Sequence, residues 1–378
     1  MFKTAIQFIR FDKAKSIGII VGIVISIFLI GQQLTTLQFL MDVMAGLINN
    51  AKPDAGEIWV IDNSSENTET LTPMDIRFVQ EIRSVEGVES TYPVVVASAK
   101  MALKNGKSAV VTLVGSEAPL FVGGPDTAKI IEGNIAELAN SKTVSIEYFD
   151  ARKLDPSLRV GSNIEVNGQN AIIKATTMNA QAFGGHYMYT NINSARFLGN
   201  FSNDKVSVIV VKLKPGANEQ QVINQINHSF FGIRAWDVEK LRSSTVRSIL
   251  SQTNMGVTFG TLIIFAIVTG FFIIGLTMYS AVLDRIKDYG TLKAIGAKNG
   301  YVRRLILMQS IIFSVIGFTI ALLLLIILKQ GMANQGLTLR MNPKILGSLF
   351  LITLLISVGG SLFAIGKINR LEPASVFR

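Results

Sequence analysis

Apolar residues are concentrated in four long runs along this chain of 378 residues. The runs without Asp, Glu, Lys or Arg include Ser16–Met41, Ser248–Leu283, Leu305–Leu328 and Ile345–Gly366. Roughly 20 helical residues cross a hydrocarbon layer of about 30 Å, so each run is long enough to span it. The pattern predicts membrane helices at 16–49 (with an external stalk), at about 255–283, at 305–328 and at 345–366.

The first run follows a short basic segment, residues 1–15, in which apolar and basic positions lie on different faces of a predicted helix. Such an amphipathic helix rests in the headgroup layer, and its four basic residues indicate a cytoplasmic N-terminus. A cleaved signal peptide is the alternative. A retained helix is favoured because no small-x-small cleavage site closely follows the apolar core Ile17–Ile30.

Residues 50–245, between the first two runs, alternate between short strand-like and helical patterns. The predicted strands are Ile58–Ile61, Ala109–Val114, Thr143–Tyr148, Ala171–Ala175 and Val206–Leu213. Thr72 and Pro73 predict the start of a helix that runs to about Arg83, and Ala217–Phe231 is a second predicted helix. The predicted fold class is therefore a membrane protein with four transmembrane α-helices and an α+β extracytoplasmic domain inserted between the first and second.

Composition and charge support a membrane protein with a soluble portion. Apolar residues make up 49% of the chain and charged residues only 16%. The net charge of +10 divides into −2 for residues 50–245 and +12 for the rest, so the positive excess lies beside the membrane. A slightly acidic soluble portion excludes nucleic-acid binding. The absence of cysteine excludes disulfides, thiol catalysis and cysteine-based metal sites.

The segment Asp284–Ser310 separates the second and third runs and carries six basic residues. Short loops rich in Lys and Arg stay on the cytoplasmic side, so this segment is predicted to be a cytoplasmic hairpin. Asp284 and Asp288 are four residues apart and share one face of a predicted helix.

An apolar ridge and two turn signals follow within the hairpin. Leu292 and Ile295 form the ridge, Gly296 with Ala297 indicates a helix stop, and Asn299–Gly300 indicates a further turn. A surface helix with one apolar ridge suits docking into a groove of another protein. A solvated loop without a partner is the alternative that the pattern leaves open.

The hairpin resembles the cytoplasmic signature of the FtsX/MacB family of ABC transporter permeases. In that signature, acid-Arg-x-x-acid precedes a hydrophobic-Gly pair and then Leu-(Lys/Arg)-Ala-hydrophobic-Gly-Ala. The matching residues are Asp284, Arg285, Asp288, Tyr289, Gly290, Leu292, Lys293, Ala294, Ile295, Gly296 and Ala297. Both acidic positions hold Asp where the family more often has Glu, which shortens the reach of a salt bridge. The resemblance implies that these residues, together with Lys287, form an ATPase-coupling loop.

Weaker resemblances to the same family lie elsewhere in the chain. Val85–Val88 followed by Tyr92-Pro93 is similar to the helix-then-strand entry of the family's extracytoplasmic domain. Val160–Gly168 is similar to its "VGD-x-I-x-V-x-G" hairpin, and the tail Leu371–Arg378 to its closing "P-x-x-hydrophobic-R". The implied domains are a cytoplasmic amphipathic helix (1–15), the first membrane helix and stalk (16–49), a MacB-like periplasmic core domain (50–245) and an FtsX-like permease domain (246–378).

The resemblance also implies a function and partners. The chain looks like a stand-alone permease of the DevC or lipoprotein-releasing kind, in the inner membrane with both termini cytoplasmic. The implied partners are a separate ABC ATPase dimer that binds the ATP, a second permease copy, the lipid bilayer and a periplasmic adaptor. The resemblance implies that the permease couples ATP hydrolysis to movement of its extracytoplasmic domain. This movement would export or extract a hydrophobic or amphipathic substrate. The alternative is an FtsX-like signalling scaffold that regulates a cell-wall hydrolase.

No catalytic residue, metal site or cofactor of its own is predicted for this chain. Gly106-Lys107-Ser108 is similar to the end of a P-loop, but Met101 stands where the first glycine is needed. His186 and His228 lack an HExxH context, so surface or hydrogen-bonded positions are favoured over a structural metal. The predicted spans carry no charge, which argues against a coupling ion at the bilayer midplane and favours energy supplied by another subunit.

Overall fold

The computed structural model describes residues 6, 7, 9, 13–339 and 341–369. The chain divides into two compact units. Met1–Phe39 and Met255–Arg378 form the helical unit, and Leu40–Asn254 form the sheet unit. The chain passes from the helical unit into the sheet unit and back again.

The helices and strands follow one another in a simple order. The α-helices among the described residues are α1 (Lys13–Met44), α2 (Gly46–Asn49), α3 (Phe78–Arg83), α4 (Tyr148–Leu154), α5 (Ile192–Gly199), α6 (Glu219–Ser229), α7 (Val238–Gln252), α8 (Met255–Asp284), α9 (Ile286–Ala294), α10 (Asn299–Ala333) and α11 (Pro343–Asn369). The strands are β1 (Ile58–Asp62), β2 (Met74–Asp75), β3 (Val88–Ala102), β4 (Ser108–Ser116), β5 (Ile130–Gly133), β6 (Thr143–Glu147), β7 (Asn163–Val166), β8 (Gln169–Thr177), β9 (His186–Asn191), β10 (Lys205–Val206), β11 (Val208–Leu213) and β12 (Ile233–Asp237).

Within the described residues, α1, α8, α10 and α11 are long and apolar enough to cross a membrane. Their apolar segments are 29, 30, 34 and 20 residues long. A helix satisfies its backbone donors and acceptors internally, which a segment in hydrocarbon requires because no water is present there. The spans predicted at 255–283, 305–328 and 345–366 lie within α8, α10 and α11, whereas the first predicted segment, 16–49, extends beyond the end of α1 at Met44 into α2. The predicted turn at Asn299–Gly300 is wrong, because Lys298 is extended (φ −67°, ψ 150°) and α10 begins directly after it.

Small residues allow close helix packing in the helical unit. A Cβ on Gly360 would lie 2.9 Å from the Cα of Gly275, and a Cβ on Gly317 would overlap the side chain of Ile23. Small residues at helix contacts let the backbones of neighbouring helices approach each other. Gly260 does not have this role, because a Cβ there would meet no described atom within 4 Å.

A ten-stranded sheet forms the centre of the sheet unit. The strands run in the order β12-β1-β11-β3-β7-β8-β5, with β4 paired to β3 and β9, and with β6 paired to β8. The pairs β4–β9 and β6–β8 are parallel, whereas the pairs along the main order are antiparallel. β3 is long enough to pair with β11 through its first half and with β4 through its second.

Apolar side chains from both faces of this sheet are buried. One cluster includes Trp59 and Tyr189, a second includes Met101 and Ile173, and a third lies between the sheet and α6. Alternate residues of β3 between positions 97 and 102 are buried and exposed, as expected for a strand with one covered face. Burial of these side chains is the main favourable contribution to the fold of the unit.

The predicted strands all lie in observed strands, although Tyr148 begins α4 and Ser207 separates β10 from β11. The hairpin predicted from Val160–Gly168 is confirmed, because the segment contains β7 and the turn that leads into its partner β8. The helix predicted from Thr72 to about Arg83 is wrong over its first half, because α3 begins only at Phe78. Met74–Asp75 form β2, and the Asp75 side chain accepts from the amide of Arg77 at 2.9 Å, which turns the chain into α3.

The second predicted helix, Ala217–Phe231, is observed as α6. Asn218 caps it by accepting from the amide of Gln221. Asn227 then protects the outer edge of β12. Its side chain donates to the Ala235 carbonyl at 3.2 Å and accepts from the Ala235 amide at 2.7 Å, as a neighbouring strand would.

Candidate functional site

The predicted coupling residues lie at the end of α8, in α9 and in the turn that leads to α10. Asp284 is the last residue of α8, and Arg285 (φ −103°, ψ 20°) interrupts the helix before α9. The Arg285 amide donates to the Val282 carbonyl at 3.2 Å, and the Tyr289 amide donates to the Arg285 carbonyl at 3.1 Å. The segment is therefore a separate short helix and not an extension of α8.

The helix stop predicted at Gly296 is confirmed and has a specific geometry. The Ala297 amide donates to the Leu292 carbonyl at 2.9 Å, and the Gly296 amide donates to the Lys293 carbonyl at 3.0 Å. Gly296 has a φ of +104°, which glycine adopts without a Cβ penalty. This pair of bonds is a Schellman motif, and it satisfies the carbonyls at the end of α9.

One face of α9 is buried in the helical unit. Tyr289 is 1% exposed, Gly290 is buried, and Leu292 packs partly buried against the same apolar core. The Tyr289 hydroxyl donates to Oε1 of Gln309 on α10 at 3.4 Å. Burial raises the pKa of Tyr289 to about 12, so the hydroxyl keeps its proton at neutral pH and acts as a donor.

The opposite face of α9 is exposed. Its residues follow a helical spacing of three or four, and they are Asp284, Lys287, Asp288, Thr291 and Ile295. We call this set the exposed stripe. Ile295, at its end, is 81% exposed, whereas the other members are charged or polar. Asp284 and Asp288 are both exposed, but the single helix predicted to carry them is interrupted at Arg285, since Asp284 ends α8 and Asp288 lies in α9.

The predicted apolar ridge of Leu292 and Ile295 is wrong. Leu292 packs against the core, whereas Ile295 is the C-cap residue (φ −80°, ψ 1°), where the chain leaves the helix. The remaining predicted site residues are close by. Arg285, Lys293 and Ala297 are half-buried, Gly296 is exposed, and Ala294 ends α9.

Gln309 is a residue of this site that the sequence analysis did not single out. It is 6% exposed, and its Nε2 atom has no hydrogen-bond partner among the described residues. The sequence contains a pattern that indicates Gln309, because Gln309 and Ser310 are polar residues near the start of the charge-free run Leu305–Leu328. A buried amide in such a run is costly unless it holds a partner, here the Tyr289 hydroxyl.

Ionisable groups also meet in the sheet unit, where Glu147 is fully buried. Its carboxylate caps α4 by accepting from the amides of Phe149 at 2.7 Å and Asp150 at 3.1 Å. Burial raises the pKa of Glu147 to about 7. His186 Nδ1 lies 2.9 Å from Asp150 Oδ2, and the hydrogen bond between them raises the pKa of His186.

The two histidines thus occupy hydrogen-bonded positions, as the sequence analysis favoured. His228 Nδ1 lies 2.6 Å from the Asn224 carbonyl oxygen on the exposed face of α6. His186 is paired with a carboxylate, which is a common structural arrangement for this side chain.

Two family models match this chain. The MacB-like periplasmic core domain matches residues 16–229, and the FtsX-like permease C-terminal domain matches residues 260–373. No curated protein matches the chain.

Solved structures with a similar fold are distant. The periplasmic region of MacB from Actinobacillus actinomycetemcomitans is 10% identical, covers 52% of this chain and 94% of its own, and has a TM-score of 0.39. The extracellular domain of the noncanonic ABC-type transporter YknZ from Gram-positive bacteria is 14% identical, covers 48% of this chain and 99% of its own, and has a TM-score of 0.36. At these values the likeness supports no statement about function.

The two family models are a stronger basis for assigning the chain to a family than the solved structures are. The MacB-like match alone covers more than half of the chain, and the FtsX-like match contains the whole of α9 with its exposed stripe and buried face. Permeases with these domains act with an ABC ATPase, which carries the ATPase activity. The chain therefore belongs to the FtsX/MacB-type family of ABC transporter permeases.

Proposed function

We propose that this permease couples ATP hydrolysis by a separate ATPase subunit to movement of its sheet unit, and thereby exports or extracts a hydrophobic or amphipathic substrate. The observation that carries the proposal is the two-sided character of α9. Its exposed stripe offers a contact surface for a soluble protein, while its buried face fixes that surface to the helical unit.

The exposed stripe suits a protein partner better than lipid. Asp284, Lys287 and Asp288 are exposed charged residues, and charged groups are costly in hydrocarbon. Ile295 is an exposed apolar side chain beside them, and its burial on docking is worth about 1.5–3 kcal/mol. A charged rim around one apolar anchor is the common arrangement of a protein contact.

The buried face supports transmission of force. Tyr289 and Gly290 have almost no exposed surface, so a push on α9 is resisted by the packed core and not absorbed by a loop. The chain then offers covalent routes to the sheet unit. α1 contributes residues to both units, and only Thr253 and Asn254 separate α7 from α8.

The charge distribution supports a cytoplasmic position for α9. Six basic residues lie between the second and third apolar runs, and basic short loops stay in the cytoplasm. The apolar runs themselves carry no charge, which favours energy supplied by a partner over an ion gradient. A second permease copy, an ATPase dimer and an adaptor bound to the sheet unit complete the proposed assembly.

The test uses the full chain, tagged and purified from membranes of its source. The wild-type chain is expected to bring down an ABC ATPase whose hydrolysis responds to substrate. Asp288→Arg reverses a charge in the exposed stripe, and Asp54→Arg is the matched control at an exposed Asp of the sheet unit. Gly290→Trp, at a buried position, displaces α9 and is expected to act like Asp288→Arg.

The proposal requires that Asp288→Arg loses the ATPase or its substrate response while Asp54→Arg keeps both, with equal amounts of each variant in the membrane. Unchanged ATPase recovery and activity in Asp288→Arg and Gly290→Trp would refute the coupling role. Capture of a cell-wall hydrolase by residues 51–245, without substrate movement, would favour a signalling scaffold instead.

A further inference from the structure

An open cleft lies beside the exposed stripe, at the turn between α9 and α10. Its volume is about 680 Å³. Its apolar walls are Leu292, Ile295, Ala297 and the ring of Tyr301. Two cations, Lys298 and Arg304, line the same cleft, and no described acidic residue lines it. Sites for small organic groups have volumes of about 300–1,000 Å³, so the space is sufficient for a headgroup and part of a chain.

The cations of this cleft have no acidic partner among the residues that the structure describes. From Tyr289 to Leu371 the sequence holds nine basic residues and no acidic one. Lys298 and Arg304 are exposed, and neither forms an ion pair with a residue that the structure describes. Two neighbouring cations without an anion attract one from outside the chain.

The place of the cleft in the sequence indicates which anion is available. Arg304 directly precedes Leu305, where the third charge-free run begins, so the cleft lies at the boundary of the apolar layer. Tyr301 lies on its wall, and tyrosine is enriched at membrane interfaces because its ring is apolar and its hydroxyl polar. A ligand that is anionic at one end and apolar at the other fits this boundary.

We propose that this cleft binds an anionic phospholipid. Lys298 and Arg304 hold the headgroup phosphate, and Leu292, Ala297 and the Tyr301 ring contact the first carbons of an acyl chain. The inference rests on the proposed function only in placing the cleft at the cytoplasmic leaflet. An acidic protein surface would satisfy the two cations equally well, but it would not explain apolar walls at the start of a membrane helix.

The test measures lipid retained by the full chain in detergent, by native mass spectrometry with phosphatidylglycerol and with phosphatidylcholine of the same chain length. The double variant Lys298→Gln/Arg304→Gln is compared with Lys329→Gln/Lys344→Gln, which removes the same charge outside the cleft. Each cation near an anionic lipid contributes roughly fivefold to binding. We expect a loss of about 25-fold for phosphatidylglycerol in the cleft variant, little loss in the control, and no change for phosphatidylcholine.

A second variant tests the apolar walls. Ala297→Phe fills the cleft and leaves both cations in place, so it is expected to lower phosphatidylglycerol binding too. Equal losses in the two double variants, or unchanged binding in Ala297→Phe, would mean that surface charge alone attracts the lipid and would overturn the proposal.

The ATPase measurement separates this site from the coupling role. If Lys298→Gln/Arg304→Gln loses the ATPase but keeps phosphatidylglycerol, the cleft binds protein and the lipid proposal is wrong. Asp288→Arg is expected to keep lipid binding whether or not it loses the ATPase, so failure of one proposal leaves the other testable. Loss of lipid in Asp288→Arg would place the lipid on the exposed stripe, against the proposal.

Discussion

Tyr289 on α9 donates its hydroxyl to the side-chain oxygen of Gln309 on α10, across 3.4 Å of the buried interior of the helical unit. The ring of Tyr289 is 1% exposed, so packing and one long hydrogen bond together hold the short helix in place. The two contributions differ in size. A net hydrogen bond is worth about 0.5–1.5 kcal/mol, whereas removal of a buried aromatic side chain costs about 3–5 kcal/mol.

Tyr289→Phe is therefore expected to lower the free energy of unfolding by about 1 kcal/mol, and Tyr289→Ala by about 3–5 kcal/mol. Thermal unfolding of the detergent-solubilised chain, followed by helical circular dichroism, measures both. Tyr301→Phe is the matched control, because Tyr301 is half-buried at the start of α10. An equal loss for Tyr289→Phe and Tyr289→Ala would show that the hydroxyl and not the ring holds α9.

The turn at Gly296 gives a second prediction. Gly296 has a φ of +104°, which an L side chain rarely adopts, so Gly296→Ala is expected to cost about 1–2 kcal/mol. Gly300→Ala is the control. Gly300 lies in α10 with open space at the Cβ position, and alanine there is expected to stabilise the helix by up to about 1 kcal/mol. Thermal unfolding measures the change in stability of both variants. A loss for Gly296→Ala with a gain for Gly300→Ala supports the Schellman geometry, whereas equal changes contradict it.

Asn227 protects the outer edge of β12, so we expect the chain to aggregate when the Asn227 side chain is replaced. Asn227→Leu removes both hydrogen bonds to Ala235 and leaves the outer edge of β12 free to pair with another chain. The expected loss of stability is about 1–3 kcal/mol, with higher oligomers in size-exclusion chromatography. Asn224→Leu changes an exposed Asn one turn earlier on α6 and is expected to stay monodisperse. Similar aggregation of both variants would indicate added surface hydrophobicity as the cause.

Glu147 gives the sheet unit a stability that depends on pH. Its pKa is about 7 in the folded chain and 4.5 as the ordinary value, so between these two values the folded state alone binds the proton. The stabilisation is complete below pH 4.5 and is lost as the pH rises through about 7. The raised pKa of His186 acts in the same direction. The stabilisation from His186 is complete below pH 6.5, its ordinary pKa, and is lost as the pH rises through its pKa in the folded chain.

Unfolding at about pH 5 and about pH 8 measures this dependence, with an upper bound of about 3 kcal/mol from Glu147. Both tryptophans of the chain, Trp59 and Trp236, lie in the sheet unit, so their fluorescence reports on this unit. Glu147→Gln is expected to remove the part of the difference that comes from Glu147, while Glu165→Gln, at an exposed position, keeps the whole difference. An undiminished pH dependence in Glu147→Gln would show that it comes from other groups.

The sequence predicted the helical unit well because long charge-free runs have few alternatives to a membrane helix. The strands were predicted where β-branched residues follow one another, as in Val206–Leu213. β3 was not predicted as a strand, although a resemblance pointed to its start, because Pro93 lies within it and its burial pattern changes along its length. That change reflects pairing with β11 and then β4, which no local pattern contains.

The sequence predicted where the candidate site lies in the chain, but it did not predict all of the side-chain directions and contacts within the site. The Gly296 stop follows from glycine chemistry and was found where expected. The direction of Ile295 did not follow from its spacing to Leu292, since the helix ends between the two residues. The contact of Tyr289 with Gln309 joins residues 20 apart in sequence, and only the packing of α9 against α10 brings them together.

The central claim, that the exposed stripe meets the ATPase, is tested most directly by a single cysteine. The chain has no native cysteine, so Thr291→Cys in the stripe and Thr319→Cys on an exposed face of α10 are unique reporters. In membranes with the ATPase, a short thiol crosslinker is expected to join Thr291→Cys to the ATPase subunit and to leave Thr319→Cys unjoined. Equal crosslinking at both positions, or none at Thr291→Cys in a complex that still hydrolyses ATP, would contradict the account.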